Sequence, residues 1–485
     1  MCTPAILHGN ETASNAIRET LTASEPRALR TYTPSQAVLA RSAGVYHWTA
    51  EGRRLFDFSS GVLVANLGHN PRGWMTRFVD YMGWTDTPWE EKRRDERSSS
   101  PRNLHPSPLF FSALPLNAYN AGTPLEADAS RRLVELMRSK AGGRRLERVL
   151  WAASGSEAIQ KALWAALSRD KSRDIILATR FGFHGKKGLA GAVSGCETDK
   201  ERDPHVRFIS FPMRECADVS LRGTPFDPAP YLRELHELHR EFGPRLSLLI
   251  TEPYLGAAGS YHPPAGYLRM LQEFCRQHDI VFVLDEVQAN FGRTGSMFAY
   301  ETYGIEPDIV VLGKGLGNGV PVSAAVGSSA ILGSLEFGEG SDTWSANTLG
   351  CAAVAATLDE FAERDVIGAA RRSSAIIEAG LVWLKELPHV AAVRGEKGGM
   401  VWGLEMRDFD RVSAADWANA LVLACYRGSL PGEGGGDVGI HLLGPLANKV
   451  IRIAPPLIIT EEEATESMEL LCRIATRLLE NRTGR

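Results

Sequence analysis

The 485-residue chain has little that would staple it, anchor it or give it one dominant sign of charge. Its seven cysteines are Cys2, Cys196, Cys216, Cys275, Cys351, Cys425 and Cys472, and no two form a CxxC pair. A zinc ribbon or a dithiol motif therefore has no support, and the plain assignment is small core hydrophobes in a reduced compartment. No apolar run approaches the about 18 residues needed to span a bilayer. Met1 to Ser35 carries polar and charged residues throughout where a secretory segment would be apolar, so a cytoplasmic protein is expected. The formal net charge of -4 points to neither a nucleic-acid partner nor an anionic membrane surface. There is no internal repeat, and no GxxxxGK(S/T) loop of the nucleotide-phosphate type.

What is present is the material of a large globular chain: 44% hydrophobic and 23% charged residues, enough for a large core with a satellite. Two apolar segments, 45–48 and 55–58, flank Glu51-Gly52-Arg53 and predict a hairpin. Gly68-His69-Asn70-Pro71 then turns the chain. Residues 83–107 are polar, with a mixed-charge run from Glu90 to Arg97, and read as a surface loop or insertion. Strand-like runs at 149–151, 175–177, 206–209, 248–250, 280–284, 309–312 and 324–327 alternate with helical patterns at 157–167, 231–242 and 267–278. A further helical pattern, at 127–137, precedes them. Short β-branched runs separated by helices predict a mostly parallel sheet covered on both faces. Past Arg364 the pattern changes to a long helix at 366–387, strands at 390–394, 400–404 and 450–453, and a helix at 414–426. A last helix at 461–479 has Thr460 as N-cap and Glu463 at the capping-box position. The expected fold is α/β: a three-layer large domain with a mostly parallel sheet, plus a smaller α+β domain drawn from both chain ends. The expected division is 1–110 for the N-terminal part of the small domain, 111–365 for the large domain and 366–485 for the rest of the small domain.

Ligands of open α/β sheets lie beyond the carboxyl ends of the strands, and that edge collects the chemistry here. One strand runs into Asp285, another into Gly313-Lys314-Gly315. An acid and a lysine at the carboxyl ends of two buried strands suit an aromatic aldehyde cofactor, pyridoxal phosphate. The lysine would hold the aldehyde, and the carboxylate would keep the ring nitrogen protonated so that the ring accepts electrons. Ser154-Gly155-Ser156-Glu157 opens a helix and offers unsatisfied N–H groups to a phosphate; taken alone it is equally a serine cap. Phe183 could stack on a ring or simply pack. Asp285 alone could hold magnesium.

Taken together, Ser154-Gly155-Ser156-Glu157-Ala158, Phe183-His184-Gly185, Glu252-Pro253, Leu284-Asp285-Glu286-Val287-Gln288, Phe291-Gly292-Arg293-Thr294-Gly295, Gly313-Lys314-Gly315 and Arg452-Ile453-Ala454-Pro455-Pro456-Leu457 resemble a known family. It is the class III, subgroup II aminotransferases of the fold-type I pyridoxal phosphate enzymes, whose relatives include ornithine, acetylornithine and 4-aminobutyrate aminotransferases. The likeness runs from about residue 45 to the C-terminus. It implies that Lys314 is the Schiff-base lysine and Asp285 the partner of the ring nitrogen. By the same likeness Gln288 approaches the phenolic oxygen, Gly155 and Ser156 hold the phosphate, and Phe183 and His184 line the cofactor. Thr343 corresponds to a threonine given to the phosphate by the neighbouring subunit, which implies a homodimer with active sites at the interface. Arg452 corresponds to the arginine that binds the substrate carboxylate, Glu252 to the glutamate that pairs with it, and Glu286 to a residue that holds surrounding groups. The implied reaction is a two-step transfer from a donor with a terminal amine to 2-oxoglutarate, with no metal. Amine–pyruvate transamination, an aminomutase, a dialkylglycine-type decarboxylase and a noncatalytic homologue are the competing readings. The chain departs from the family at 83–107 and 116–120, and at Ala289-Asn290, where many members have threonine or serine followed by glycine.

Overall fold

The computed structural model describes residues 5–84, 113–199, 203–429 and 436–483. The hairpin predicted around Gly52 is present. Strands β1 (Arg41–Ala43), β2 (Tyr46–Trp48) and β3 (Arg54–Asp57) run antiparallel, with Tyr46 opposite Phe56 and Trp48 opposite Arg54. Gly52 has φ 87°, a left-handed turn that costs glycine no steric clash. Apart from Gly83 and Trp84, the polar segment 83–107 lies outside the described residues.

Seven strands build the main sheet: β4 (Arg148–Ala152), β5 (Ile175–Thr179), β6 (Val206–Ile209), β7 (Leu246–Thr251), β8 (Val281–Asp285), β9 (Ile309–Leu312) and β10 (Ser323–Gly327). Their spatial order is β4-β10-β9-β8-β7-β5-β6, and β10 runs antiparallel to both of its neighbours while the rest are parallel. The mostly parallel sheet inferred from the alternating pattern is thus found. Its strands are apolar on both faces because both are covered. Val281, Val283, Ile309 and Val311 pack with Ala158, Ile159 and Ala162 of the helix Gly155–Ser168. The alternate residues Phe282, Leu284, Val310 and Leu312 pack with Leu268, Leu271 and Phe274 of the helix Tyr267–Gln277. Each fully buried side chain of this kind contributes roughly 1.5–3 kcal/mol. A register slip of one residue would exchange the two faces, so Asp285 and Gly313 are fixed at one edge.

A second core draws on both ends of the chain: Val45, Phe56 and Phe58 share it with Trp402, Trp417, Ile440 and Leu471. Its strands are β11 (Val390–Gly395), β12 (Trp402–Met406) and β14 (Val450–Ile453), an antiparallel sheet in that order. Strand β13 (Val438–His441), which carries no clear signal in the sequence, pairs in parallel with β3. Several boundaries differ from expectation, two of them for a local reason. The expected strand at 400–404 begins instead at Trp402, because Met400 N–H is taken by Arg293 O at 2.8 Å. The expected helix at 366–387 is Val366–Leu384, ending short of Pro388, whose ring disfavours helical geometry just before it. The last helix, Glu461–Thr483, has the predicted capping box. Thr460 Oγ1 accepts from Glu463 N–H at 3.1 Å, and Glu463 Oε2 accepts from Thr460 N–H at 3.0 Å.

Candidate active site

Parallel β5, β7, β8 and β9 end on the same edge, and antiparallel β10 begins there. Asp285, the last residue of β8, is buried; its Oδ1 accepts Val287 N–H at 2.9 Å and its Oδ2 bonds His184 Nδ1 at 2.7 Å. Glu252 follows β7 and is also buried. Its Oε1 accepts Phe183 N–H at 2.9 Å and its Oε2 accepts Gly256 N–H at 3.1 Å. Burial pushes its carboxyl up to about 7; Asp285 adds to the rise, while His184 and the two N–H donors oppose it.

Arg452 arrives from β14 in the second core. Its Nη2 donates to Gly256 O at 2.8 Å, and its buried Nε has no hydrogen-bond partner among the described residues. The sequence pairs it with Glu252, but among the described residues no ion pair joins the two: Gly256 stands between, donating to one and accepting from the other. Lys314 follows β9 after Gly313, with φ 48°. That left-handed conformation is strained for a side-chain-bearing residue and is held by its surroundings. Burial lowers the lysine's pKa first of all; Arg452 lowers it further, while Asp285 and Glu252 pull against both. Asn290 Nδ2 donates to Gly313 O at 3.1 Å, which pins the peptide before the lysine.

The helix Gly155–Ser168 opens at this edge. Ser154 caps it, its Oγ accepting Glu157 N–H at 3.3 Å. Three glycines allow the segments to meet. A Cβ on Gly155 would lie 2.9 Å from Val287 Cγ1, one on Gly313 3.2 Å from the same atom, and one on Gly185 2.3 Å from Ser156 Oγ. A Cβ on Gly256 would lie 2.1 Å from Gln288 Oε1, so Gln288 rests on the residue that bonds both Arg452 and Glu252. Phe183 leaves 46% of its surface exposed, on a cavity of about 600 Å³ also lined by Phe181, Met213, Ala258, Tyr261 and Lys449.

The structure therefore gathers Phe183, His184, Glu252, Asp285, Gln288, Lys314 and Arg452 on one edge, with Gly155 and Ser156 joined through Val287 and Gly185. Thr343 stands apart. It is exposed, and its carbonyl accepts Asn117 Nδ2 at 2.6 Å, from the segment that departs from the family pattern. Glu286 holds surrounding groups, accepting Ala299 N–H at 2.7 Å and Tyr300 N–H at 2.8 Å. Gly256 and Asn290 were not singled out as contacts by sequence reasoning; a polar residue after a buried strand was the signal available for Asn290. Arg293, within the Phe291-Gly292-Arg293-Thr294-Gly295 motif, is buried. It bonds Asn66 Oδ1 at 2.8 Å, Met400 O at 3.1 Å and Pro455 O at 2.6 Å, tying the two cores together.

The donor set fits pyridoxal phosphate: a buried amine of lowered basicity, a carboxylate aimed by an imidazole, a serine-bearing helix N-terminus in a cradle that side chains would fill, and an aromatic face left open. The class-III aminotransferase family model matches residues 120–475. The acetylornithine aminotransferase of Methanothermobacter thermautotrophicus is 27% identical over 455 residues, 93% of this chain and 96% of that protein. The ornithine aminotransferase of Emericella nidulans is 26% identical, over 96% and 92% of the two chains. Among solved structures, the Toxoplasma gondii ornithine aminotransferase superposes with a TM-score of 0.74 at 22% identity, covering 96% of this chain and 95% of that one. A PLP-bound amine transaminase from an uncultivated Pseudomonas species gives 0.73 at 24% identity, covering 94% and 97%. These likenesses fix the fold, and the family match fixes the class: the chain belongs to the class-III aminotransferases, fold-type I enzymes that depend on pyridoxal phosphate.

Proposed function

We propose that this enzyme moves an amino group from a donor with a terminal amine, such as 4-aminobutyrate, ornithine or a related diamino acid, to 2-oxoglutarate in two half-reactions. The carrying observation is Arg452: a buried guanidinium held through one nitrogen by Gly256 O, its Nε unpartnered, on the same edge as Lys314. A planar donor of this kind suits a carboxylate. Gly155 and Ser156 would hold the cofactor phosphate, Phe183 and His184 would flank the ring, Gln288 would meet the phenolic oxygen and Asp285 the ring nitrogen. When bound, the cofactor supplies an electron sink for the carbon that loses its proton.

Lys314 Nζ, made less basic by burial, would take that proton from the substrate carbon and deliver it, on the same face, to the cofactor carbon that receives the nitrogen. Asp285 is kept in one orientation by Val287 N–H and His184, so its charge is presented at one place. Glu252, close to half-ionised near neutral pH, alternates between facing Arg452 and leaving it free for a substrate carboxylate. Thr343, exposed on the single chain, would serve the site of the partner subunit in a homodimer. A division at about 110 and 365 belongs to the same reading, supported by the second core drawn from both chain ends. So does a cytoplasmic location, which accords with no described helix being long and apolar enough to cross a membrane.

The test is a half-reaction. Glutamate added to cofactor-loaded enzyme without any oxo acid should remove the cofactor's visible band and release one equivalent of 2-oxoglutarate; an unchanged band would refute glutamate as a partner. A second reading has its own observation: the mainly apolar mouth formed by Phe181, Phe183, Met213, Ala258 and Tyr261 would also accept a bulky hydrophobic amine. Alanine consumed in place of glutamate would favour that amine–pyruvate reading.

A further inference from the structure

A second cluster of ligand-type side chains lies at the small sheet β1-β2-β3-β13, not on the seven-stranded sheet that leads into Lys314. His47 is the middle residue of β2 and Asp57 the last of β3. His69 stands in the turn before the helix Arg72–Met82, and its backbone exchanges two 2.9 Å hydrogen bonds with Gly44. One ligand atom from each of the three lies within 4.8 Å of the others.

Their orientation is fixed from behind. Asp57 Oδ1 accepts Ser59 N–H at 2.7 Å, Ser59 Oγ–H at 2.7 Å and Ser60 N–H at 3.0 Å. This leaves Oδ2 facing two imidazoles, at 2.7 Å from His69 Nε2 and 3.4 Å from His47 Nε2. His47 Nδ1 is bonded to Ser42 Oγ at 2.7 Å, whereas its buried Nε2 has only the long 3.4 Å contact with Asp57 Oδ2 among the described residues. Histidines that bind metals characteristically carry such an outer hydrogen bond on the second nitrogen. A buried ring nitrogen left with so long a contact is otherwise costly.

We propose that His47, Asp57 and His69 form a binding site for a borderline divalent transition-metal ion, zinc first, that clamps the small sheet to the turn entering the helix Arg72–Met82. Two imidazoles and a carboxylate suit zinc better than magnesium or calcium, which favour oxygen ligands alone. Tetrahedral zinc with bonds of about 2.0–2.1 Å places its ligand atoms about 3.4 Å apart. The His47–Asp57 separation already matches. The His69–Asp57 pair must open by roughly 0.7 Å to reach that spacing, and His69 is the ring able to move. Its side chain is 18% exposed, against 3% for His47 and none for Asp57, and it borders a cavity of about 340 Å³ that gives an ion a way in. The fourth position falls to water, or to His441, whose buried Nδ1 has no partner and whose ring centroid is 5.4 Å from that of His47.

The test uses the tag-free, full-length, cofactor-loaded enzyme, stripped with a chelator, given zinc or cobalt(II), gel-filtered and analysed by mass spectrometry for metals. About one ion should remain per chain, with a rise in melting temperature, as expected where binding selects the folded state. His47→Gln and His69→Gln should each lower retention at least tenfold, while His205→Gln, an exposed histidine beside Asp203, should not. The visible cofactor band per chain shows whether each variant has folded. X-ray absorption of the zinc-loaded wild-type needs no variant: it should give nitrogen and oxygen donors at about 2.0–2.1 Å with imidazole scattering. No retained ion in the wild-type, retention unchanged in both folded variants, or sulfur ligands in the absorption spectrum would each overturn the proposal. The cluster would then be a carboxylate hydrogen-bonded to histidine and nothing more.

Discussion

Arg452→Lys keeps the charge at the proposed carboxylate site but removes its planar, two-point geometry. In the native protein Arg452 Nη2 is committed to Gly256 O at 2.8 Å, while Nε is unpartnered. The lysine ammonium is a point donor that cannot reproduce this fork. Losing one charge-assisted hydrogen bond costs about 1.5–3 kcal/mol, which at 1.4 kcal/mol per decade is roughly 10- to 150-fold in affinity. The value of kcat/KM for glutamate should fall by that factor. The affinity for an unreactive dicarboxylate such as glutarate, read from the perturbed cofactor spectrum, should fall in parallel. Losing the bond to Gly256 O should also lower unfolding stability by about 1 kcal/mol, visible in urea melts. The reasoning fails if glutarate binds the variant as tightly as the wild-type while kcat collapses, because the arginine would then act on the chemistry and not on the carboxylate.

Glu252 and Glu286 are carboxyls pushed up to about 7 and about 8 by burial, so between pH 5 and 8 the folded state binds more protons than the unfolded one and stability falls as pH rises. Glu252→Gln should remove one component of that slope, worth about 3 kcal/mol across the window; melts at pH 5 and pH 8 with an unchanged difference would refute the shift. Gly185→Ala drives a Cβ to within 2.3 Å of Ser156 Oγ. Displacing that hydroxyl from a phosphate should weaken cofactor binding roughly tenfold or more, measured by titrating apoenzyme, and unaltered binding would exclude Ser156 from the phosphate seat. Lys314→Gly removes both the amine and the strained φ of 48°. It should abolish turnover yet stabilise the apoprotein by about 1 kcal/mol or more; a less stable apoprotein would show that the lysine is not held under strain.

The sequence was most readable where one physical constraint acted alone. The β-branched runs of β7, β8 and β9 are covered on both faces, so their apolar character survives any change of partner and the sheet could be inferred. The helix Thr348–Glu363 defeated the same approach: eleven of its sixteen residues are buried, so it has no polar stripe to mark a helical period. Strand β13 is four residues long and owes its place to β3, nearly 400 positions earlier, which no local pattern records. At the site, residue types could be matched to roles, but the part of Gly256 could not be seen. Its part depends on β14, from the second core, bringing Arg452 to a loop that follows β7.

Gly256 bears on how one site could serve two substrates. A buried ion pair between Glu252 and Arg452 would cost about 3–5 kcal/mol to break, and each half-reaction of the proposed cycle would have to break it again. Here each side chain is instead tied to a different end of the same residue, glutamate to the N–H and arginine to the carbonyl, each by one hydrogen bond worth about 0.5–1.5 kcal/mol net, or up to 3 with a charged partner. Glu252 can let go of Gly256 N–H while its other oxygen keeps Phe183 N–H, and Arg452 can stay anchored while it receives a carboxylate at Nε. Neither movement leaves a bare charge behind. The pKa near 7 adds to this, since a glutamate neutral for half of the time near physiological pH is weakly held by its partner. Exchange between the two substrate modes should therefore be easier below pH 7 than above it. Pre-steady-state half-reactions with glutamate and with the terminal amine, compared at pH 6 and pH 8, should show the glutamate arm slowing more at the higher pH, where ionised Glu252 competes for Arg452.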